Sequence, residues 1–209
     1  YRGRSLNDRV YQGPDLVNGF FSVLLKFRLH QYAVQADIKG MYNQVFVPLE
    51  DRDVLRFLWY VNGQTVHYRM KVHLFGGVWC SSIATYALCR IIHDHPDAHP
   101  LLCSAIHHSM YVDDCLVSVT TKEEAIILID GLPELLRTGG FVLTKFVVND
   151  EELLKEVPKA HAEVHELTPE AVRRTLGVKW NVNQDSIYYE IKYSSHICVV
   201  TSHNMPRFV

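Results

Sequence analysis

The sequence predicts an α+β fold in which helices pack on one face of an antiparallel sheet. Strand-like apolar runs alternate along the chain with segments of helical periodicity. Several neighbouring runs are joined by short turns, which allow antiparallel pairing but no parallel crossover. The chain has 209 residues, 48% of them hydrophobic, so it can bury a substantial core.

Three segments carry the signals of helices. Residues 13–32 place apolar side chains on one broad face, with Pro14 near the expected first turn. Residues 81–92 follow a Gly-Gly pair and form the second predicted helix. Residues 121–140 form the third, because Thr121 starts a capping-box pattern and two glycines end the segment.

The remaining apolar runs predict two single strands and three hairpins. They lie at residues 32–38, 54–70, 107–120, 141–148 and 175–191. The Asn62-Gly63 pair favours a type I′ turn and gives the first hairpin the strongest turn signal. The second hairpin is expected to turn at two adjacent acids, and the third near residues 183–185.

The two acids at the second turn, Asp113 and Asp114, point to a cation site. Like charges side by side repel, and strand cores disfavour Asp, so a cation is needed to neutralise them. Asp37 ends the apolar strand YAVQAD and is a third acid in a similar setting. Mg²⁺ ions prefer carboxylate oxygens of this kind. The alternative is a polar turn at Asp113-Asp114 with Asp37 as a helix N-cap, and spacing alone does not show that Asp37 meets Asp113.

Composition argues against several classes of protein. The net charge is −2 and the pI is about 6.7, which argues against a nucleic-acid binder that acts alone. No apolar run reaches the roughly 18 residues of a membrane span, and no signal peptide is visible. The five cysteines are scattered and odd in number, which is typical of a reduced, intracellular protein. The chain starts without Met, so we expect a fragment.

Three other groups have a functional and a structural interpretation. The histidines of HDHPDAH (93–99) allow a zinc site, but their spacing favours a solvated loop between a helix and a strand. HAEVH (161–165) lacks the Glu that a metalloprotease needs directly after the first His, so a surface helix is favoured. Arg173 and Arg174 either contact a phosphate backbone or end an exposed helix.

A series of motifs resembles those of reverse transcriptases. YVDD between apolar strands looks like their catalytic signature, and ADIKGMYNQV resembles the first polymerase motif. GGFVLTKF is similar to the later motif that carries a Lys, and LGVKW to the start of the primer-grip hairpin. Within this family, the segments SLNDRVYQGPDL, DRDVLRFLW, YRMKVHLFGG and ATYAL resemble the BEL/Pao class of LTR retrotransposons. The resemblance covers residues 5–182 and implies a polymerase palm, an antiparallel sheet backed by helices, with partial fingers.

The resemblance implies catalytic roles for four residues. Asp37 and Asp113 would hold two Mg²⁺ ions, with Mn²⁺ as a substitute, and Asp114 would be an accessory acid. The ions would activate the primer 3′-hydroxyl and stabilise the leaving pyrophosphate. Lys145 would help to protonate the leaving group.

The resemblance also implies a nucleotide pocket. The backbone at Ile38 and Lys39 would approach the triphosphate. Tyr42 would be the steric gate, whose ring occupies the space of a ribose 2′-hydroxyl, so that deoxynucleotides are preferred. Phe75 and Gly76 would line the pocket.

The primer grip and the domain limits follow from the same resemblance. Gly177, Val178, Lys179 and Trp180 would support the primer end. The expected regions are partial fingers and a helical lead-in at 1–36, the palm at 37–175, and a primer-grip-like hairpin with a truncated end at 176–209.

The sequence departs from the family in its second motif. Leu74 replaces the usual Pro, and VWCSS (78–82) replaces a run of small residues. Trp79 fits worst, because a bulky ring would stand where the template strand passes. Its alternative interpretation is a harmless outward rotamer.

The function that the resemblance implies is an RNA-directed DNA polymerase that extends a primer on an RNA or DNA template with deoxynucleotides. The fingers strands, thumb, RNase H and integrase regions are expected on other parts of a polyprotein, so the fragment alone is expected to be inactive. The expected location is the cytoplasm or a retroelement particle. Two alternatives remain: an inactive or domesticated remnant that only binds nucleic acid or protein, and an unrelated Ca²⁺- or Mg²⁺-binding domain.

Overall fold

A computed structural model describes residues 3–156, 172–175, 178–182, 185–193 and 196–201. The helices are α1 (Phe20–Phe27), α2 (Cys80–Asp94), α3 (Pro100–His108), α4 (Lys122–Thr138) and α5 (Glu151–Glu156), with 3₁₀ segments at Met41–Gln44 and Leu49–Leu55. The strands are β1 (Tyr32–Ile38), β2 (Arg56–Val61), β3 (Gln64–Arg69), β4 (Met110–Tyr111), β5 (Asp114–Val119), β6 (Leu143–Val148), β7 (Val172–Thr175), β8 (Val178–Asn181), β9 (Ser186–Tyr193) and β10 (His196–Thr201). The mixture of helices and antiparallel strands confirms the predicted α+β class.

The central sheet has four antiparallel strands in the order β4-β5-β1-β6. β1 lies between β5 and β6, and most of its side chains are buried on both faces of the sheet. This explains why its sequence, YAVQADI, is a nearly continuous apolar run rather than a strict alternation. The predicted strand at 32–38 is confirmed in its full extent.

Each face of this sheet has its own core. One face packs against α4, with α2 and α3 alongside, and its buried residues include Val34, Ala36 and Val117. The opposite face packs against α1 and the β8–β9 hairpin. Its buried residues are Val23, Phe27, Ala33, Leu116, Trp180 and Val182. Helices therefore back the sheet as predicted, and α1 additionally covers its second face.

The hairpin β2–β3 projects from this body as a separate two-stranded sheet. Asn62 and Gly63 both have positive φ values, 48° and 81°, as the predicted type I′ turn requires. Trp59 is 63% exposed, and most neighbouring side chains of both strands are exposed as well. The sequence pattern thus predicted the hairpin, but its aromatic residues are not core residues.

The first helix is shorter than predicted. It starts at Phe20 instead of near Pro14, and Gly19 is its N-cap. Upstream, the Asp15 carboxylate accepts a hydrogen bond from the Val17 backbone N–H, a local turn that competes with helix formation. The Asn18 side chain is also engaged elsewhere, in contacts with the end of α3 and with β4.

Two predictions, one about a loop and one about a helix end, are wrong. Residues 95–99 join α2 to α3, not a helix to a strand, because Pro100 starts a helix that the sequence pattern did not reveal. Arg173 and Arg174 do not end a helix; they lie in β7, paired with β8. The HAEVH segment and Gly177 lie outside the described residues.

The predicted third hairpin is confirmed by the pairing of Asn181 with Ser186 between β8 and β9. It belongs to a second four-stranded sheet with the order β10-β9-β8-β7. Within the part of the chain that the structure describes, no helix is long and apolar enough to cross a membrane.

Candidate active site at the end of the central strand

The antiparallel register of β1 and β5 places Asp37 directly opposite Asp114. Residues directly opposite one another in an antiparallel pair project to the same face of the sheet. The backbone N–H of Ile38 donates to the Asp113 carbonyl over 2.8 Å, which extends the pairing into the turn. The fold therefore brings together the three acids whose proximity the sequence left open.

The turn that carries Asp113 is tight. Tyr111 pairs with Asp114, so only Val112 and Asp113 form the loop. The predicted turn at the two adjacent acids is therefore wrong by one residue, because Asp114 already belongs to β5. Val112 has φ = 54°, and a positive φ at the first loop residue is the pattern of a type II′ turn, which usually has Gly there. A β-branched residue in this region is strained, and such strain is concentrated at functional sites.

Contacts from the N-terminal side hold this hairpin in place. The Asn18 amide donates to the carbonyls of His107 (3.0 Å) and Met110 (2.9 Å), so it connects α3 to β4. The Phe20 ring packs edge-on against Tyr111, with centroids 5.7 Å apart. Sequence reasoning missed Asn18, because a single Asn before a helix gives no signal of a contact 92 residues away.

Burial and neighbouring negative charges raise the pKa values of Asp113 and Asp114. Burial is the main cause for both. For Asp114, the charges of Asp113 and Asp37 add to burial and raise its pKa to about 6. The charge of Asp37 likewise raises the pKa of Asp113, and Lys145 opposes both shifts. The site thus concentrates negative charge in a partly dehydrated position.

Lys145 reaches the acids because β6 contains a bulge. Gln35 pairs with Val147 and Asp37 with Thr144, so two residues of β6 lie opposite one of β1. Lys145 is one of these two residues and has φ = 57°, and such bulges re-aim side chains. Its Nζ lies 3.4 Å from an Asp37 carboxylate oxygen. The predicted grouping of Lys145 with the acids is therefore present.

Two of the predicted nucleotide residues, Ile38 and Lys39, directly follow Asp37 in the chain. The backbone N–H groups of Ile38 and Lys39 both donate within the sheet region, to Asp113 and Val142 respectively. The rings of Tyr42 and Phe75 meet edge to face, with centroids 5.0 Å apart.

Two further contacts close to Tyr42 and Phe75 had no signal in the sequence. The Tyr42 hydroxyl lies 2.7 Å from the hydroxyl of Ser81 in α2. The Asn7 side chain holds the loop after Phe75 at both ends: its amide donates to the Gly76 carbonyl and its oxygen accepts from Val78 N–H. Gly76 has φ = 94°, a conformation that suits glycine, and the space beside its Cα is open.

Trp79, the residue that fits the family pattern worst, is held by its neighbours. Its Nε1 donates to His73 Nδ1 over 3.0 Å. The ring also lies against Gly77, where an added Cβ would come within 2.9 Å of it. Gly77 leaves space for the bulky ring because it has no Cβ, and His73 accepts the hydrogen bond of the indole N–H.

Two described side chains of the predicted primer grip, Lys179 and Trp180, differ in burial. Trp180 is completely buried, packs edge-on against Phe27 with centroids 4.9 Å apart, and donates from Nε1 to Asp185. Lys179 is partly exposed and its Nζ lies 6.0 Å from the centre of the Tyr188 ring. Val178 starts β8. Trp180 is therefore a core residue of the β8–β9 hairpin and is not part of its exposed surface.

The donor chemistry of the acids suits a hard divalent cation. All three donors are carboxylates, the oxygen ligands that hard divalent cations prefer. Among the described residues, no group of three or more His, Cys, Asp or Glu side chains is already arranged to hold a metal ion. At present Lys145 supplies the positive charge next to Asp37.

The histidines of residues 93–99 have structural partners. The ring of His99 accepts a hydrogen bond from Leu101 N–H and caps α3. The ring of His95 contacts the Ile91 carbonyl at the end of α2. Both rings therefore have a structural role at a helix end, and this role does not depend on a metal ion.

An antiparallel sheet backed by helices, with acids at the end of its central strand, is the arrangement expected of a polymerase palm. The family model described as reverse transcriptase (RNA-dependent DNA polymerase) matches residues 3–145, well over half of the chain. The chain therefore belongs to the reverse transcriptase family.

Solved structures support the same fold. A foamy viral protease-reverse transcriptase in complex with dsDNA is 15% identical, with a TM-score of 0.54 over 84% of this chain and 30% of that one. The same viral enzyme in complex with an RNA/DNA hybrid is 15% identical, with a TM-score of 0.50 over 78% of this chain and 18% of that one. This chain thus spans less than a third of those proteins. No curated protein matches it.

Proposed function

We propose that this chain is the palm of an RNA-directed DNA polymerase that adds deoxynucleotides to a primer 3′-hydroxyl. The observation that carries the proposal is the meeting of Asp37, Asp113 and Asp114 with Lys145 at one end of the sheet. Membership of the reverse transcriptase family supports it independently.

Asp37 and Asp113 are the proposed ligands of two Mg²⁺ ions, for which Mn²⁺ can substitute, and Asp114 is the accessory acid. When bound, the ions supply the charge that activates the 3′-hydroxyl and stabilises the departing pyrophosphate. Asp114 adds negative charge beside both ligands, which strengthens cation binding once it is ionised. Lys145 leaves its contact with Asp37 and donates a proton to the pyrophosphate.

The nucleotide is placed by residues on either side of the acids. Ile38 and Lys39 lie next to the triphosphate, and the Tyr42 ring blocks the position of a 2′-hydroxyl. Phe75 supports that ring edge-on, and the open space at Gly76 leaves room for the substrate.

We further propose that the enzyme is of the BEL/Pao type and acts on an RNA or DNA template with a primer. The solved structures that resemble it contain dsDNA or an RNA/DNA hybrid, which supports nucleic-acid partners of this kind. The palm spans 37–175, and the segments before and after it belong to the fingers and to the primer grip. A cytoplasmic or particle-bound location follows from a retroelement origin.

The test is primer extension by the chain joined to the fingers and thumb of a related reverse transcriptase. Asp113→Asn removes a ligand charge and is expected to lower extension roughly a hundredfold or more, the scale on which single catalytic groups act. Asp130→Asn is the matched control, because Asp130 is exposed on α4. Unchanged extension by Asp113→Asn would overturn the proposal.

A second candidate is a remnant that binds nucleic acid or protein without catalysis. The ion pair between Lys145 and Asp37 favours it, because a cation from the protein already neutralises one proposed ligand. Calorimetric titration with Mg²⁺ separates the two candidates. Binding that Asp113→Asn weakens supports the enzyme, and absence of binding supports the remnant.

A further inference from the structure

The Tyr42 ring is fixed at two points that come from distant parts of the chain. Its hydroxyl lies 2.7 Å from the Ser81 hydroxyl, 39 residues away in sequence. The Tyr42 and Phe75 rings meet edge to face at an interplanar angle of 69°. The Phe75 side chain is 66% exposed, so it supports the ring from one side only. The hydroxyl contact is therefore the firmer of the two attachments.

Ser81 is a rigid point of attachment because it lies in the first turn of α2. The residues around it, Cys80 and Ala84, are 1% exposed, and the Cys80 thiol contacts the Leu74 carbonyl over 3.0 Å. The start of this helix is thus bound to the core. A side chain held by such a helix keeps its position better than one held by a loop.

Tyr42 itself lies on a less regular segment. It belongs to the 3₁₀ turn Met41–Gln44, which follows Gly40 in a left-handed conformation with φ = 54°. Met41 is buried, but the Tyr42 side chain is only partly buried. Without a contact at its far end, the ring could rotate about its Cα–Cβ bond into another staggered rotamer.

We propose that Ser81 is a positioning residue that sets the selectivity of the site for deoxynucleotides over ribonucleotides. This inference rests on the proposed function, in which the Tyr42 ring blocks the 2′-hydroxyl. A blocking ring rejects a group as small as a hydroxyl only if it cannot move aside, and the Ser81 hydroxyl prevents that movement. Losing one ordinary hydrogen bond corresponds to about a fivefold change in an equilibrium, so selectivity should fall by about that factor.

The first measurement needs no catalysis and uses the chain itself. In NMR spectra at low temperature, the hydroxyl proton in the hydrogen bond between Tyr42 and Ser81 should exchange slowly with water, and its loss in Tyr42→Phe assigns it, whichever of the two hydroxyls donates. We expect the signal to persist in Ser81→Thr and in the control Ser82→Ala, and to disappear in Ser81→Ala. If Ser81→Ala keeps the signal, the contact does not hold the ring and the inference is overturned.

The second measurement compares kcat/KM for dATP and ATP in the primer-extension assay described above. Ser81→Ala should lower the dATP preference about fivefold, mainly by improving KM for ATP. Ser81→Thr should keep the dATP preference of the unmodified protein, because Thr also carries a hydroxyl group on its Cβ. Ser82→Ala should leave it unchanged.

The outcomes separate this inference from the function on which it rests. If Tyr42→Ala abolishes the preference and Ser81→Ala does not change it, the gate stands and the role of Ser81 is overturned. If neither variant changes the preference, the gate itself is overturned. If the unmodified protein extends no primer, the proposed function fails, and the selectivity role of Ser81 fails with it whatever the NMR result.

Discussion

At the scale of single residues, Asp114 shows how the fold changes the chemistry of a side chain. Burial, together with the charges of Asp113 and Asp37, raises its pKa to about 6. An unfolded chain would give this carboxyl its ordinary pKa of 3.8. Because the folded state holds the proton more tightly, the contribution of Asp114 to stability falls as the pH rises from about 4 to about 6.

The corresponding prediction concerns the metal-free chain. At pH 7, Asp114→Asn should raise the free energy of unfolding by about 1 kcal/mol after allowance for solvent screening of a partly exposed group. At pH 4 the difference should vanish. Urea denaturation at both pH values in the presence of EDTA measures it, with Asp130→Asn as the control that should show no such pH dependence. A variant that is equally stable or less stable at pH 7 would contradict the expected pKa.

The residues of the site differ in how far the sequence predicts them. Asp37, Asp113 and Asp114 are conspicuous because carboxylates are out of place beside apolar strands. Ser81, Asn18 and Asn7 are ordinary polar residues in the sequence. Their contacts span 39 to 92 residues and exist only after the sheet and helices have packed, so no local pattern could predict them.

At the scale of secondary structure, the bulge in β6 is the feature that joins fold and site. It turns Lys145 toward Asp37 at the cost of a left-handed backbone conformation, φ = 57°. Such a conformation costs a residue with a Cβ about 1–2 kcal/mol relative to its usual region. A regular strand would avoid that cost, but the ammonium group would then follow the ordinary alternation of the strand.

This strain can be measured with two substitutions at one position. Both Lys145→Gly and Lys145→Ala remove the ion pair, but only Gly relieves the backbone. Lys145→Gly should therefore be more stable to denaturation than Lys145→Ala by about 1 kcal/mol.

The same pair of substitutions at Lys155 gives the control. Lys155 is exposed in the helix α5, where Ala is favoured over Gly, so the order should reverse there. If Lys145→Ala is as stable as Lys145→Gly, the backbone at the bulge is not strained.

Prediction of the elements succeeded where local signals act alone. The capping box at Thr121 and Glu124 and the Asn62-Gly63 turn are short-range features, and both are present. The start of α1 was predicted too early, because the Asn18 side chain donates hydrogen bonds to two distant carbonyl groups and Asn18 is not part of the helix. The helix α3 was missed because the histidines around it obscure its apolar face.

At the scale of the whole molecule, the central sheet lies between two core clusters, one on each of its faces. Trp180 joins the β8–β9 hairpin to the second of these clusters through Phe27, Ala33 and Leu116. The ion pair between Arg28 and Asp185 reinforces the junction at the surface, and Asp185 also accepts from the Trp180 indole. The position of the proposed primer grip thus depends on packing against the face opposite α4.

Trp180→Ala should therefore lower the free energy of unfolding by about 3–5 kcal/mol, as expected for the loss of a fully buried aromatic ring. The identical change at Trp59, which is 63% exposed on the β2–β3 hairpin, should have an effect within about 0.5 kcal/mol. Denaturant titration of both variants tests the contrast. Similar losses in the two variants would show that the hairpin β8–β9 does not pack as described.

The fold class was predictable from the sequence because alternating helices and tight hairpins leave few arrangements. The packing of α1 and the Trp180 hairpin on the same face of the sheet was not predictable, because no pattern in the sequence assigns these two elements to one face. The sequence likewise did not show that Asp37 lies opposite Asp114, since a strand pattern defines faces but not partners.

The central position of β1 has a consequence for how the protein is made. Asp37 precedes Asp113 by 76 residues, the difference of their sequence numbers. At the usual rate of protein synthesis, 5–20 residues per second, β1 leaves the ribosome roughly 4–15 s before β5 exists to pair with it. During that interval the apolar strand β1, which is buried on both faces in the folded protein, has been synthesised but has no partner strand. The fold therefore requires that this strand be shielded, by the ribosome or by a chaperone, until its partner strands have been synthesised.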